Sequence, residues 1–143
     1  MAEVQSIQQV LQTQGVYVGV VFGDSMQPML DSRTDTVVVK AKTDRLRVGE
    51  VALFHNGENY VLHRIIAVHE DGYLTRGDNR FAVEWVEEAE VLGVLTEFYK
   101  GEKRISCQDK RYLRYMKKSL RFYALRRFAF RVKNKLKRLF SKK

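Results

Sequence analysis

The stretch NYVLHRIIAVHEDGYLTRGDNR, residues 59–80, decides the fold of this chain. Two runs rich in β-branched residues, 59–68 and 72–76, flank an Asp-Gly pair, which supplies the positive φ that a tight hairpin connection needs. Similar short apolar runs, separated by turn residues, continue on both sides, as VYVGVVF (16–22), TVVVKAK (36–42), EVALF (50–54) and EVLGVLTEF (90–98). This pattern predicts a mainly β fold, a compact domain of about six strands.

A length of 143 residues allows one hydrophobic core and one appendage. A short helix is predicted over 3–14, because its apolar residues share one face and Gly15 follows. From Gln108 onward the chain contains no Gly or Pro and has a helical period. We therefore expect a β domain over 1–102 and a basic amphipathic helical tail over 103–143.

Charge divides the chain at the same boundary. Residues 1–102 carry 9 Lys and Arg against 16 Asp and Glu, whereas residues 103–143 carry 17 against 1. The formal net charge of +9 is therefore a property of the tail. A strongly basic tail on an acidic body is typical of attachment to a polyanion, either a lipid surface or nucleic acid.

Two apolar stripes follow one another along the tail. The first comprises Tyr112, Leu113, Met116, Leu120, Tyr123 and Ala124. The second contains the candidate membrane-docking residues Leu125, Phe128, Val132, Leu136, Leu139 and Phe140. At about 100° per residue the stripes point in nearly opposite directions, so we expect a bend near Ala124 and Leu125, with the first segment packed on the body. Lys and Arg occupy the other side of the second segment, a pattern typical of a helix lying in a membrane interface.

Other roles for the tail stay open. A core-packing helix with a solvated basic face has the same pattern, and an arm that binds nucleic acid has a similar charge. Tail aromatics favour lipid over duplex DNA, and the roughly 15 residues before the β domain are too few for a helix-turn-helix. No signal peptide and no spanning helix is predicted. We expect a cytoplasmic protein, with the tail as a candidate peripheral attachment to the inner membrane surface.

Three residues could form a catalytic relay. Ser25 follows a strand in GDSMQPML (23–30), in a tight turn that leaves its hydroxyl accessible, and a serine nucleophile needs an adjacent base. His63 lies mid-strand, and Asp78 lies in a Gly-Asp turn where it could fix the imidazole tautomer. The alternatives are a turn serine, a core histidine and a turn-forming aspartate.

Metal and cysteine chemistry are disfavoured. His55, His63 and His69 show no pair at metal-ligand spacing, and the single Cys107 excludes an internal disulfide and a cysteine-based zinc site. No metal and no cofactor is therefore expected.

The same boxes resemble a known clan. GDSMQPML is similar to the serine box of the signal peptidase and LexA-type serine peptidases, and VGEVALF, VLHRIIAV and LTRGDNR (74–80) are similar, in order and spacing, to the later boxes of type I signal peptidases. The histidine before Arg64 resembles the histidine-type enzymes of archaea, the endoplasmic reticulum and sporulating bacteria. The resemblance covers about residues 16–98.

The resemblance implies a catalytic role for Ser25 as nucleophile, His63 as general base and Asp78 as the acid that orients or charges the site. It also implies that Met26 lines a substrate groove and that backbone N–H groups from Gly23 to Ser25 hold the oxyanion. The chain departs from the clan at three points. Glu50 and Thr34-Asp35 stand where Gly-Asp is usual, Glu84 stands where the histidine-type enzymes carry further aspartates, and no spanning segment is present.

The expected function is that of a serine endopeptidase acting on an extended protein segment, in leader-peptide or regulatory-protein processing. The substrate is expected to bind as an added strand along an exposed sheet edge. The alternative is a non-catalytic or self-cleaving regulatory relative that binds a protein partner, with the tail as a membrane or nucleic-acid arm.

Overall fold

The computed structural model describes residues 6–20 and 23–141. A short helix opens the chain, strands make up the body and a long helix closes it. In chain order these are α1 (Ile7–Gln14), β1 (Val16–Val20), β2 (Asp35–Ala41), β3 (Val51–His55), β4 (Tyr60–Val68), β5 (Gly72–Arg76), β6 (Glu84–Glu87), β7 (Val91–Lys100), β8 (Lys103–Ser106) and α2 (Lys110–Ser141). The mainly β class with a short N-terminal helix and a helical C-terminal tail is confirmed.

Local chemistry explains where α1 begins and ends. Ser6 and Gln9 form a capping box, in which each side chain accepts a hydrogen bond from the other residue's backbone N–H. Gly15 closes the helix at a φ of 76°, a left-handed conformation that glycine adopts without strain. Residues 1–5, which include the predicted start of this helix, lie outside the described part of the chain.

The strands form one antiparallel sheet in the order β1-β2-β7-β3-β4-β5-β6, and β8 pairs with the end of β7. The sequence patterns predicted about six strands, and the structure adds β6 and β8. Both added strands have four residues and carry charged side chains. Short, charged strands of this kind have too few buried positions to give an alternating hydrophobic signal.

The sheet buries one apolar cluster on each face. One includes Met26, Leu30 and Val39, and the other includes Phe54, Ile65 and Tyr73. Consecutive side chains of β4 therefore point toward different apolar clusters, because side chains alternate between the two faces of a strand. This alternation separates His63 from Arg64 and sets the geometry of the candidate site.

α2 is hydrogen-bonded as one helix of 32 residues, so no break separates its two apolar stripes. Tyr112 of the first stripe is buried, and Leu113 and Met116 pack against the core. The second stripe, from Leu125 to Phe140, is exposed. The start of the predicted tail belongs to the body, because residues 103–106 complete the sheet as β8.

Across residues 6–20 and 23–141, no helix is both long enough and apolar enough to cross a lipid bilayer.

Candidate active site

Ser25 lies in the turn between β1 and β2, and the β5–β6 loop fixes its backbone. Gly23 enters the turn with a φ of 76°, which a residue with a Cβ adopts only with strain. The carbonyl of Ser25 accepts a hydrogen bond of 2.8 Å from the backbone N–H of Asn79. The hydroxyl-bearing residue is half-buried at the surface of the core. Its orientation therefore depends on a loop more than fifty residues away in sequence.

His63 meets Ser25 directly. It lies in the middle of β4, opposite Ala52 of β3, and its side chain is 7% exposed. Its Nε2 atom is 3.1 Å from the Oγ atom of Ser25, which is hydrogen-bonding distance. The ring of Phe54 packs edge-on against the imidazole, with 5.9 Å between centroids. The structure thus brings together two of the three residues that the sequence predicted as a relay.

Gly77 makes this contact possible by leaving space beside both residues. A Cβ at position 77 would lie 2.6 Å from the carbonyl oxygen and 2.9 Å from the Cβ of Ser25, and 3.2 Å from Nε2 of His63. Two of these distances are shorter than real Cβ contacts allow, and the nearest atom is backbone. The glycine of the LTRGDNR box therefore permits the close approach of loop and serine.

Glu84, at the start of β6, lies at the other side of the imidazole. Its Oε1 atom is 2.9 Å from Nδ1 of His63, but it lies off the direction of the ring N–H bond. The contact is consequently a close approach of a carboxylate to the ring, and it becomes an ion pair only when His63 is protonated. Burial lowers the pKa of His63 below its usual value, while the carboxylate of Glu84 works in the opposite direction and the nearby Arg80 lowers it further.

The carboxylate of Asp78, predicted to orient or charge the site, accepts hydrogen bonds from Arg64 and not from the imidazole of His63. Its two carboxylate oxygens accept hydrogen bonds of 2.8 Å each from Nε and Nη2 of Arg64. Arg64 follows His63 in β4, so its side chain leaves the strand on the opposite face. Because the carboxylate of Asp78 binds the guanidinium of Arg64, it is directed away from Nδ1 of His63. The carboxylate beside Nδ1 of His63 is that of Glu84.

The Arg64–Asp78 pair is completely buried, and α2 completes its hydrogen bonds. Tyr115 and Ser119 donate to the carboxylate at 2.7 and 3.2 Å, and Arg64 donates to the hydroxyl of Tyr112 at 3.1 Å. Burial works to lower the pKa of Arg64, but the paired carboxylate outweighs it and the net shift is upward. Burial and the same carboxylate raise the pKa of Tyr115. Arg64 therefore stays protonated and Tyr115 stays neutral at neutral pH.

Met26 joins the two networks. It is 2% exposed, and its sulfur accepts a 3.4 Å hydrogen bond from the backbone N–H of Asp78. Together with Ser25 it lines a small pocket whose other walls come from α1 and from strands β1 to β4, including Tyr17, Val20 and Leu62. The pocket offers about 20 Å³ to the centre of a water molecule, roughly the space of one water.

Cys107, the single cysteine of the sequence, is not expected to react as a nucleophile. Burial raises the pKa of Cys107 to about 11, so the group is a thiol and not a nucleophilic thiolate at neutral pH. Among the described residues, no group of three His, Cys, Asp or Glu side chains could hold a metal ion.

In the sequence, Glu84 stands out only as a departure from the clan's pattern, and Tyr115 and Ser119 have no predicted role at the site. The signal for Glu84 was its position a few residues after the Gly-Asp turn, on a strand that the apolar pattern did not reveal. Tyr115 and Ser119 share a face of α2 four residues apart, but no local pattern shows that this face meets Asp78.

The chain matches no protein-family model and no curated protein.

Proposed function

We propose that this chain is a serine endopeptidase, with Ser25 as nucleophile and His63 as general base. The observation that carries the proposal is the 3.1 Å contact between Ser25 Oγ and His63 Nε2. A serine hydroxyl is a weak nucleophile unless a base adjoins it. Burial lowers the pKa of His63, which keeps the imidazole neutral near pH 7 and able to accept the serine proton.

In the acylation step, Oγ of Ser25 attacks the scissile carbonyl carbon and its proton passes to Nε2 of His63. The tetrahedral intermediate carries its negative charge on the former carbonyl oxygen, where backbone N–H groups from Gly23 to Ser25 are the candidate donors. The intermediate collapses when His63 returns the proton to the leaving amine. The products of this step are a free amine and an ester between the substrate acyl group and Ser25.

In the deacylation step, water attacks the ester carbonyl while His63 accepts one of its protons. Collapse of the second tetrahedral intermediate gives a carboxylic acid product, and the proton on His63 returns to Oγ of Ser25. In both steps the imidazole carries a positive charge for a time. The carboxylate of Glu84, 2.9 Å from Nδ1, stabilises that charge.

An extended protein segment is the substrate class that the surface supports. β1 is an edge strand of the sheet and leads to the Ser25 turn, and its Val18 and Val20 are exposed. A peptide can pair with such an edge by main-chain hydrogen bonds, and pockets beneath it select side chains. The pocket next to Ser25 has room for a small side chain only. A leader peptide or a flexible stretch of a regulatory protein fits these requirements.

The test is cleavage of a library of unstructured peptides by the full chain, with the products read by mass spectrometry. Ser25→Ala and His63→Ala should each lower the rate at least about a thousandfold, because nucleophile and base act as a unit. Ser32→Ala, in the same turn region, is the matched control and should retain the activity of the parent chain. Equal cleavage by the parent and by Ser25→Ala would rule out this mechanism.

A further inference from the structure

The second half of α2 carries an apolar face that the body does not cover. Leu125 is 64% exposed, Phe128 68% and Phe140 73%. We call this face the exposed stripe, and it consists of Leu125, Phe128, Val132, Leu136, Leu139 and Phe140. Contiguous exposed apolar surface on a protein marks an interaction site.

The exposed stripe faces away from the body. On the other side of the same turns, Arg131, Asn134 and Arg138 line a cleft against the loop 81–83, and Lys135 reaches this cleft from the border of the stripe. In a continuous helix at about 100° per residue, the stripe also lies roughly opposite Tyr112 and Met116, which anchor α2 on the core. The stripe is therefore open along one side of the helix only.

Positive charge borders the exposed stripe. Residues 125–143 contain nine Lys and Arg and no Asp or Glu. By the helical period, Lys133 and Lys135 lie on the two borders of the stripe, where long aliphatic side chains can reach past an apolar surface with their ammonium groups. The exposed stripe and its borders can therefore make apolar and cationic contacts on the same face of α2.

We propose that the exposed stripe docks α2 on an anionic lipid surface. The stripe enters the boundary between head groups and acyl chains, and the bordering cations meet the lipid phosphates. A flat surface can reach the open side of the helix, whereas a protein groove that wraps the helix would meet the loop 81–83. A second copy of the chain would place nine cations against nine, and a nucleic acid would leave the apolar residues in water.

The test is co-sedimentation of the full chain with phosphatidylglycerol vesicles and with phosphatidylcholine vesicles. Leu136→Glu places a charge in the stripe, and Asn134→Glu places the same charge two residues away, on the side facing the body. We expect binding to phosphatidylglycerol vesicles, weakened by 0.5 M salt, that falls at least about tenfold in Leu136→Glu. Asn134→Glu should lose less than about fivefold, the effect of one charge near the surface.

Three results would overturn the proposal. One is equal binding of the two vesicle types, and another is an equal loss in Leu136→Glu and Asn134→Glu. The third is absence of vesicle binding. A dimer that Leu136→Glu dissociates would then assign the stripe to a second copy of the chain. Duplex DNA binding that Leu136→Glu leaves unchanged would assign the charge to nucleic acid.

A spectroscopic measurement reports on insertion itself. The chain has one tryptophan, Trp85, so the double variant Trp85→Phe/Phe128→Trp carries its only indole in the exposed stripe. Its emission should shift to shorter wavelength with phosphatidylglycerol vesicles and should be quenched by brominated acyl chains. Emission that stays at the wavelength found in water while the protein sediments with vesicles would contradict docking through the stripe.

Discussion

The imidazole of His63 lies between charges of opposite sign. Burial lowers its pKa first, the carboxylate of Glu84 raises it, and Arg80 lowers it. Only the neutral ring can accept the proton of Ser25, so proteolysis should fall as the pH drops through the pKa of His63. The lower the pKa of His63, the lower the pH at which the proposed activity should persist.

Two substitutions should move this acid limit in opposite directions. Glu84→Gln removes a group that raises the pKa, so the midpoint of kcat/KM against pH should move to lower pH. Arg80→Gln removes a group that lowers the pKa, so the midpoint should move to higher pH. Glu84→Gln should also slow turnover, because the imidazolium loses its stabilising carboxylate.

The measurement is kcat/KM across about pH 4.5–8, a range centred on the ordinary histidine pKa. Arg33→Gln, an exposed charge change near β2, is the control and should leave the midpoint in place. If Glu84→Gln and Arg80→Gln shift the midpoint in the same direction, the electrostatic description of the site is wrong.

Gly77→Ala should abolish activity with little effect on the global fold. The added methyl group would meet the carbonyl oxygen of Ser25 at 2.6 Å and push the loop or the serine out of place. A displacement of about 1 Å at the reacting groups can cost about a hundredfold in rate. Gly57→Ala is the control. Its φ of 99° means that an alanine there should lower stability, but Gly57 lies in a hairpin turn away from Ser25. Retained cleavage by Gly77→Ala would contradict the close approach described above.

At the scale of elements, the buried Arg64–Asp78 pair connects strand, loop and helix. β4 supplies Arg64, the β5–β6 loop supplies Asp78, and α2 supplies Tyr115 and Ser119. The backbone of the same loop holds Ser25 through Asn79. Through this loop, α2 therefore contributes to the position of Ser25, the proposed nucleophile.

Tyr115→Phe should lower stability and activity together. It removes a hydrogen bond to a buried carboxylate, which contributes about 1.5–3 kcal/mol, and keeps the ring that lies against Arg64. Tyr99→Phe, on β7, is the matched control. Urea unfolding should show a lower midpoint for Tyr115→Phe only, and kcat should fall more than KM rises, because a shifted loop displaces Ser25. A lower midpoint with unchanged kcat would show that the pair is structural alone.

The strands that bury an apolar run could be predicted from the sequence. The two strands without such a run, β6 and β8, could not be predicted. β4 and β5 follow from the apolar runs on either side of the Asp-Gly pair, and the observed β4, Tyr60–Val68, agrees closely with the predicted run 59–68. The positive φ expected of the glycine is wrong, because Gly72 is the first residue of β5 and has no positive φ. β6 and β8 each have two or fewer strongly buried positions, so their existence depends on neighbouring strands. The Ser25–His63 contact was predictable from the three boxes. The partner of Asp78 was not, because it depends on which face of β4 each side chain leaves and on where α2 packs.

At the scale of the whole molecule, the boundary between body and tail lies within α2. The first half of the helix contributes Tyr112 to the core, while the described side chains from Leu125 to Phe140 are exposed. At residue 103 the net charge of the sequence changes from negative to positive, but residues beyond this point still pack against the core. A helical period alone cannot distinguish a packed stripe from an exposed one, so this boundary could not be read from the sequence.

Two truncations should separate these halves. In a chain ending at Ala124, the lost residues whose side chains the structure describes are all exposed, so the thermal midpoint should change by about 2 °C or less. A chain ending at Gln108 loses buried Tyr112 and the donors to Asp78, and its midpoint should fall by more than about 10 °C. Differential scanning calorimetry measures both. Equal midpoints for the two truncations would mean that α2 contributes nothing to the core.

The uninterrupted backbone of α2 ties the angle between its two halves to the number of residues between them. One alanine inserted between Tyr123 and Ala124 would rotate everything beyond it by about 100°, and seven would restore the angle to within about 20° while lengthening the helix by about 10 Å. Vesicle affinity should therefore drop with one inserted residue and recover with seven. Stability should stay constant in both, because the contacts of Tyr112, Tyr115 and Ser119 precede the insertion. Angular phase, and not length, is then the quantity that this segment must preserve.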